Sequence, residues 1–148
     1  MSAIPLMHVY HRPLDPNGQD SLAKLARLIQ PGSQVLDLGA GPGVLGRYLA
    51  ETLRCVVDGV EHNPAAVAAA APWYRRLECA DLEDIALAEC FAGNRYDFIV
   101  CADILEHLRR PGALLAQLAG LLAPNGRVLA SVPNVAHAGL IAELLAGD

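Results

Sequence analysis

The chain has 148 residues, of which 53% are apolar and 18% are charged, so it can bury the core of one domain and is neither a disordered chain nor two full domains. Its formal net charge is -5, and its lysines and arginines are scattered. This pattern argues against a nucleic-acid partner, because phosphate contacts need a clustered basic surface.

The uncharged stretches of the chain are too short to cross a membrane. The longest, 111–126 and 128–142, are also interrupted by proline, glycine or asparagine. The first residues have no basic region followed by a sustained apolar run, so no secretory signal is predicted. We therefore expect a cytoplasmic chain without a membrane partner. The four cysteines and five histidines are dispersed, which predicts reduced thiols and no metal site.

Segments with strand and helix patterns alternate along the chain. The first helix is predicted to begin at a cap on Asp20 or Ser21 and to stop at Pro31. A later helix is predicted to begin at Asn63, because Pro64 suits the first helical position. The predicted strands are 34–38, 56–60, 77–80, 96–102 and 127–132. The helices after the first are predicted at 44–53, 64–71, 114–122 and 140–145. The helix at 114–122 is predicted to end at the Pro-Asn-Gly sequence 124–126.

This alternation predicts an α/β fold. Parallel strands joined by right-handed crossovers form an open, three-layer, Rossmann-like sheet with helices on both faces. Such a sheet binds its ligand beyond the carboxyl ends of the strands. We assign residues 1–20 to an N-terminal segment or lid and residues 21–148 to the ligand-binding domain.

A glycine-rich loop follows the first predicted strand. Gly39, Gly41 and Gly43 allow a sharp turn and a close approach of a ligand to the backbone, and the helix that follows presents free N–H groups to an anion. Gly41 to Gly46 also matches G-x-G-x-x-G, so an NAD-dependent oxidoreductase is one alternative. The position of this match relative to the strand disfavours a dinucleotide site, because the match begins only after Gly39 and its neighbour. The strand also carries Asp37, where a dinucleotide site has an uninterrupted apolar strand.

Carboxylates follow four of the five predicted strands. Asp37 has two interpretations that both stay open: it caps N–H groups of the loop, or it contacts the ligand. Glu61 comes 18 residues after Gly43, where an acidic residue can accept hydrogen bonds from both ribose hydroxyls. Asp81 can accept a hydrogen bond from an exocyclic amine, and Asp103 ends the fourth strand. Together these side chains predict a site for an adenosine-containing ligand.

The motifs VLDLGAGPG, GVEHNP, CADLED, YDFIVCADILEHL and LLAPNGRVLASVPNVAH occur in this order over residues 34–134. The combination closely resembles class I S-adenosylmethionine-dependent methyltransferases, and within them the small-molecule enzymes grouped as type 11 or 12. The resemblance implies S-adenosylmethionine as the cofactor and S-adenosylhomocysteine as its product.

The resemblance also implies a role for each matching residue. Gly39, Ala40, Gly41 and Gly43 would lie along the methionine moiety, with Asp37 behind them. Glu61 would bind the ribose, and Asp81 and Leu82 would bind the adenine with His62 packed nearby. Ala102 and Asp103 would face the sulfonium end.

The chain departs from the family at its C-terminal end. Class I domains add a sixth and a seventh strand that complete the sheet, and the predicted elements here stop after the fifth strand and its helix. We expect an incomplete domain, so a non-catalytic cofactor-binding remnant is a further alternative. We also expect the fifth strand to be an exposed edge that promotes self-association.

The expected methyl acceptor is a small molecule, with an oxygen or nitrogen nucleophile favoured over carbon. Nucleic acid is disfavoured by the net charge and because no N-P-P-Y-like or Pro-Cys segment follows the fourth strand. His107 and His137 are weak candidates for a catalytic base, and no residue is assigned that role. His8, His11 and Tyr10 are further titratable residues outside the predicted strands.

Overall fold

The fold is known from a computed structural model that describes residues 13–132. It is built around a five-stranded sheet in the order β3-β2-β1-β4-β5, and every pair of neighbouring strands is parallel. The strands are β1 (Gln34–Leu38), β2 (Val56–Glu61), β3 (Arg76–Cys79), β4 (Tyr96–Ala102) and β5 (Leu122–Ser131), and the helices are α1 (Ser21–Ala26), α2 (Val44–Glu51), α3 (Pro64–Ala70), α4 (Leu87–Cys90) and α5 (Pro111–Leu118).

Apolar side chains cover both faces of the sheet. On one face, β1, β2 and β4 pack against residues of the first two helices, such as Leu25, Leu45 and Leu49. On the other face, the same strands pack against residues of the last two helices, such as Leu87 and Leu114. Layers on both faces explain why β1 and β4 are almost continuously apolar and buried. The predicted three-layer Rossmann-like architecture is confirmed.

The predicted helix starts at Asp20 and Asn63 are confirmed. The carboxylate of Asp20 accepts a hydrogen bond from the backbone N–H of Ala23. The side chain of Asn63 accepts from the N–H of Ala65, directly after Pro64. The first helix is shorter than predicted, because α1 ends at Ala26 and the chain continues in hydrogen-bonded turns toward Ile29.

The end of the fourth predicted helix and the start of β5 differ from the sequence prediction. A 3-10 turn, Ala119–Leu121, follows α5, and Leu122 already pairs with Tyr96 of β4. The register is irregular between Tyr96 and Phe98, where the Pro-Asn-Gly sequence bulges out of β5. The prediction that the helix runs to the Pro-Asn-Gly sequence is therefore wrong, because Leu122 pairs with β4 and belongs to β5.

Asp58 is a buried carboxylate on the face of the sheet away from the first helices. It accepts two hydrogen bonds from the Arg75 guanidinium, at 3.0 and 2.6 Å, and one from the Tyr96 hydroxyl at 2.7 Å. Burying a charge is costly unless it is paired, and these donors meet that requirement. The three residues tie β2, the start of β3 and β4 together.

Among residues 13–132, no helix is long and apolar enough to cross a membrane. Several predictions concern residues outside this range: the last helix at 140–145 and the titratable side chains of His8, Tyr10, His11 and His137. The assignment of residues 1–20 to a separate segment or lid stays a prediction.

Candidate functional site

A cavity of about 800 Å³ opens at the carboxyl ends of the parallel strands. Strand order explains its position, because β1 lies between β2 and β4, and the loops that follow these strands separate above the sheet. Six of the residues singled out from the sequence line the cavity: Gly39, Glu61, His62, Asp81, Leu82 and His107. The cavity lining does not include Asp37, Ala40, Gly41, Gly43, Ala102 or Asp103.

The loop after β1 needs glycine for conformational and steric reasons. Gly39 and Gly43 have φ angles of 80° and 92°, in the region that L side chains rarely adopt. A Cβ atom on Gly39 would lie 2.5 Å from Cγ2 of Ile104, and one on Gly43 would lie 2.8 Å from Cβ of Ala70. The loop therefore keeps its backbone close to both neighbouring segments.

Glu61 holds this loop in place while it lines the cavity. Its Oε1 atom accepts a hydrogen bond of 2.9 Å from the N–H of Gly41, and its Oε2 atom accepts one of 2.8 Å from the N–H of Asn63. The residue is 7% exposed. Each carboxylate oxygen has a second lone pair, so Glu61 can bind the loop and still accept from a ligand hydroxyl.

Asp37 lies beneath the loop and is 2% exposed. Its Oδ2 atom accepts a hydrogen bond of 2.6 Å from the hydroxyl of Tyr74. Burial raises the pKa of Asp37 to about 6, the Tyr74 hydrogen bond opposes this rise, and the nearby charge of Glu61 adds to it. The N–H groups of Gly39 and Ala40 donate to the carbonyl of Val60, so the interpretation of Asp37 as a cap on loop N–H groups is not supported.

Tyr74 was not identified from the sequence. Its ring fills the space left by two glycines: a Cβ atom on Gly46 would overlap the ring, and one on Gly59 would lie 2.8 Å from Cε1. Gly46 completes the G-x-G-x-x-G match, and in the structure it makes room for this ring. The sequence signal for this contact was the pair of glycines in α2 and β2, which leaves space for a large side chain. Nothing in the sequence near Gly46 or Gly59 indicated that Tyr74 fills this space.

The two walls of the cavity meet at Glu83. The segment after β3 turns at Asp81, whose Oδ1 atom accepts from the N–H of Glu83 at 2.8 Å. The Glu83 carboxylate in turn accepts from the N–H of Arg109 on the opposite wall at 2.9 Å. Arg109 and Arg110, which line this wall, were not singled out as site residues, because an exposed arginine pair has no distinctive local pattern.

Asp103 joins three elements at the edge of the site. Its φ angle is 52°, unusual for a residue other than glycine. One carboxylate oxygen accepts from the hydroxyl of Ser131 at 3.0 Å and the other from the hydroxyl of Ser21 at 3.0 Å. Asp103 thus connects the end of β4 to the end of β5 and the start of α1.

The two histidines at the cavity are exposed. Nδ1 of His62 lies 3.4 Å from the Glu61 carboxylate, and Nε2 of His107 lies 3.6 Å from the Glu106 carboxylate. In the described part of the chain, no group of three or more His, Cys, Asp or Glu side chains could hold a metal ion.

Comparisons with known proteins point to one family. A family model described as a methyltransferase domain matches residues 10–146. Ubiquinone biosynthesis O-methyltransferase from Neisseria meningitidis serogroup C is 29% identical over 110 residues, which cover 70% of this chain and 45% of that protein. The protein of the same name from Xanthomonas campestris pv. campestris is 31% identical over 129 residues, which cover 82% and 51%. The chain spans about half the length of these curated relatives.

A solved structure shares the fold. Coclaurine N-methyltransferase bound to N-methylheliamine and SAH has a TM-score of 0.63 and 22% identity, with 74% of this chain and 34% of that chain covered. The family model extends over almost the whole sequence and includes every strand and loop that forms the cavity. The chain therefore belongs to the methyltransferase domain family.

Proposed function

We propose that this domain binds S-adenosylmethionine and transfers its methyl group to a small-molecule acceptor. The observation that carries the proposal is that Gly39, at the start of the glycine loop, Glu61 and Asp81 line one cavity at the carboxyl ends of parallel strands. Family membership supports the same reaction. S-adenosylhomocysteine is the product of this reaction.

The residues present fit this cofactor. Glu61 offers carboxylate lone pairs to the ribose hydroxyls, Asp81 offers an acceptor to the adenine amine, and Leu82 offers an apolar contact to the adenine ring. Gly39 lines the cavity, so the methionine moiety can lie along the backbone of the glycine loop there, and Asp37 supplies a buried carboxylate behind it. His62 packs near the adenine, and the remaining cofactor contacts in this proposal come from Ala40, Gly41, Gly43, Ala102 and Asp103.

The bound cofactor supplies a methyl group already activated by the positive charge on sulfur. The main task of the protein is therefore to hold the acceptor in line with this group, and such alignment can contribute roughly 7–11 kcal/mol. An acceptor oxygen or nitrogen that carries a proton must also lose it. His107 lines the cavity and His137 follows β5 in the sequence, and both remain candidates for this base.

The acceptor is proposed to react through oxygen or nitrogen. The two curated relatives are named O-methyltransferases, and coclaurine N-methyltransferase shares the fold. A cytoplasmic location belongs to the same proposal and is supported by the four cysteines, all of which are free thiols.

Calorimetry with S-adenosylhomocysteine and with NAD tests the cofactor assignment. We expect S-adenosylhomocysteine to bind and NAD to give no heat of binding. Binding of NAD alone would instead favour the oxidoreductase alternative. Transfer of a labelled methyl group to a panel of phenols and amines separates an active enzyme from a remnant that only binds the cofactor, because the remnant would bind S-adenosylhomocysteine and label no acceptor.

A further inference from the structure

A phenol and a carboxylate form a buried pair beneath the glycine loop. Tyr74 is 8% exposed and Asp37 is 2% exposed, and their oxygen atoms are 2.6 Å apart. The Tyr74 ring lies against Gly46 of α2 and Gly59 of β2, where a larger residue would displace it. Packing against these two glycines fixes the orientation of the ring, so the hydroxyl approaches Asp37 from one direction.

We propose that Tyr74 is a positioning residue that fixes the orientation and the charge of Asp37 behind the glycine loop, and thereby sets the pH below which cofactor affinity falls. For cofactor affinity, this inference rests on the proposed function. It goes beyond the proposed function because it assigns a role to a residue outside the cavity lining.

Three titratable groups lie near the buried carboxyl of Asp37: Glu61, Cys101 and Tyr74. Burial disfavours the carboxylate, and so does Glu61, which approaches from the end of β2. Cys101 on β4 is a neutral thiol, because burial and the nearby Asp37 raise its pKa to about 12. Tyr74 is also neutral, because burial first and Asp37 second raise its pKa well above the ordinary value.

Tyr74 therefore opposes the effects of burial and of Glu61 on the pKa of Asp37. Within residues 13–132, its hydroxyl is the hydrogen-bond donor to the Asp37 side chain. A donor bound to a carboxylate favours the charged form. Without this donor, the pKa of Asp37 would rise further above about 6 and the carboxyl would be protonated closer to neutral pH.

The charge matters because the proposed ligand carries an ammonium group. At neutral pH the methionine part of both the cofactor and its product is a zwitterion with a carboxylate and an ammonium group, and in this inference the ammonium group lies toward Asp37. A charged Asp37 attracts it, and a protonated Asp37 does not. Affinity should therefore fall as the pH decreases through the pKa of Asp37, and removing the Tyr74 hydroxyl should move this fall to higher pH.

The test is Tyr74→Phe, which keeps a ring packed against Gly46 and Gly59 and removes only the hydroxyl. Tyr48→Phe is the matched control, since among the described residues the Tyr48 hydroxyl has no hydrogen-bond partner. S-adenosylhomocysteine affinity is measured by calorimetry from about pH 5 to 9. We expect the fall in affinity to begin about one to two pH units higher in Tyr74→Phe than in the unsubstituted protein, and to stay in place in Tyr48→Phe.

A second measurement does not need the ligand. Carbon-13 NMR of the Asp37 carboxyl follows its titration in the free protein, with Asp37→Asn used to assign the signal. We expect titration near pH 6 and an upward shift in Tyr74→Phe. Should Tyr74→Phe fail to fold, as judged by circular dichroism, Asp37→Asn still tests whether Asp37 is the group that sets the pH dependence, because this variant should lose the pH step in affinity. A step that persists in Asp37→Asn overturns the inference, since Tyr74 is proposed to act through Asp37.

The outcomes separate this inference from the proposed function. An Asp37 that titrates in the ordinary carboxyl range, or an unchanged profile in folded Tyr74→Phe, overturns the role of Tyr74 even if S-adenosylhomocysteine binds. A shifted titration together with no binding at any pH contradicts the proposed cofactor and the affinity part of the inference, while control of the Asp37 charge by Tyr74 is retained.

Discussion

Asp37 carries its charge at a cost to the stability of the fold. Its pKa is raised from 3.8 to about 6 in the folded protein, mainly by burial, so the folded state holds more protons than the unfolded state between these values. The contribution of this group therefore becomes less favourable as the pH rises from about 4 to 6. We expect Asp37→Asn to increase the free energy of unfolding at pH 7 by up to about 3 kcal/mol and to change it little near pH 4. Urea denaturation at both pH values measures this difference, and a destabilised variant at pH 7 would contradict it.

Glu61 holds the glycine loop and is also proposed to bind the ribose, and its substitution should show both roles. Glu61→Ala removes the proposed ribose acceptor, which should weaken S-adenosylhomocysteine binding by about 1–3 kcal/mol, and it also frees the N–H groups of Gly41 and Asn63. Asp81→Ala should cost less affinity, because Asp81 is proposed to contact a single amine. Calorimetry gives the affinities, and circular dichroism checks that the fold is retained. Equal affinity of Glu61→Ala and the unsubstituted protein would mean that the cavity is used differently.

At the scale of elements, Tyr74 fixes the distance between α2 and β2. A methyl group on Gly46 would overlap its ring, so we expect Gly46→Ala to lower the free energy of unfolding by about 1–3 kcal/mol. Gly112→Ala is the control, because nothing lies within 4 Å of the added atom and alanine favours helix α5. Thermal unfolding followed by circular dichroism compares the two variants. A Gly46→Ala protein as stable as Gly112→Ala would show that the ring can move aside at no cost.

Elements with a local pattern were predictable, and contacts between distant residues were not. The strand ends could be placed from sequence because β1 stops at the glycine loop and the apolar runs of β2 and β4 stop at Glu61 and Asp103. Parallel strands bring such ends to one edge of a sheet. The partner of Asp37 could not, because Tyr74 is 37 residues away in a segment without periodic pattern. The start of β5 was missed for a similar reason, since Leu122 continues a helical pattern and only pairing with β4 makes it a strand.

The last prediction concerns the whole molecule and the edge of the sheet that β5 forms. Within residues 13–132, β5 pairs with β4 on one side only. Val128 in this strand is 37% exposed, and Val132, directly after its end, is 57% exposed. Unpaired backbone groups next to exposed apolar side chains promote pairing with another strand. We expect the chain to self-associate with increasing concentration in light scattering, and Val128→Lys to reduce this association, since charge at an edge opposes pairing. Leu28→Lys is the control: Leu28 is 59% exposed but lies in the turns after α1 and not in a strand, so association should persist. A monomer at every concentration, or an equal effect of both lysines, would show that the edge of β5 is not the contact.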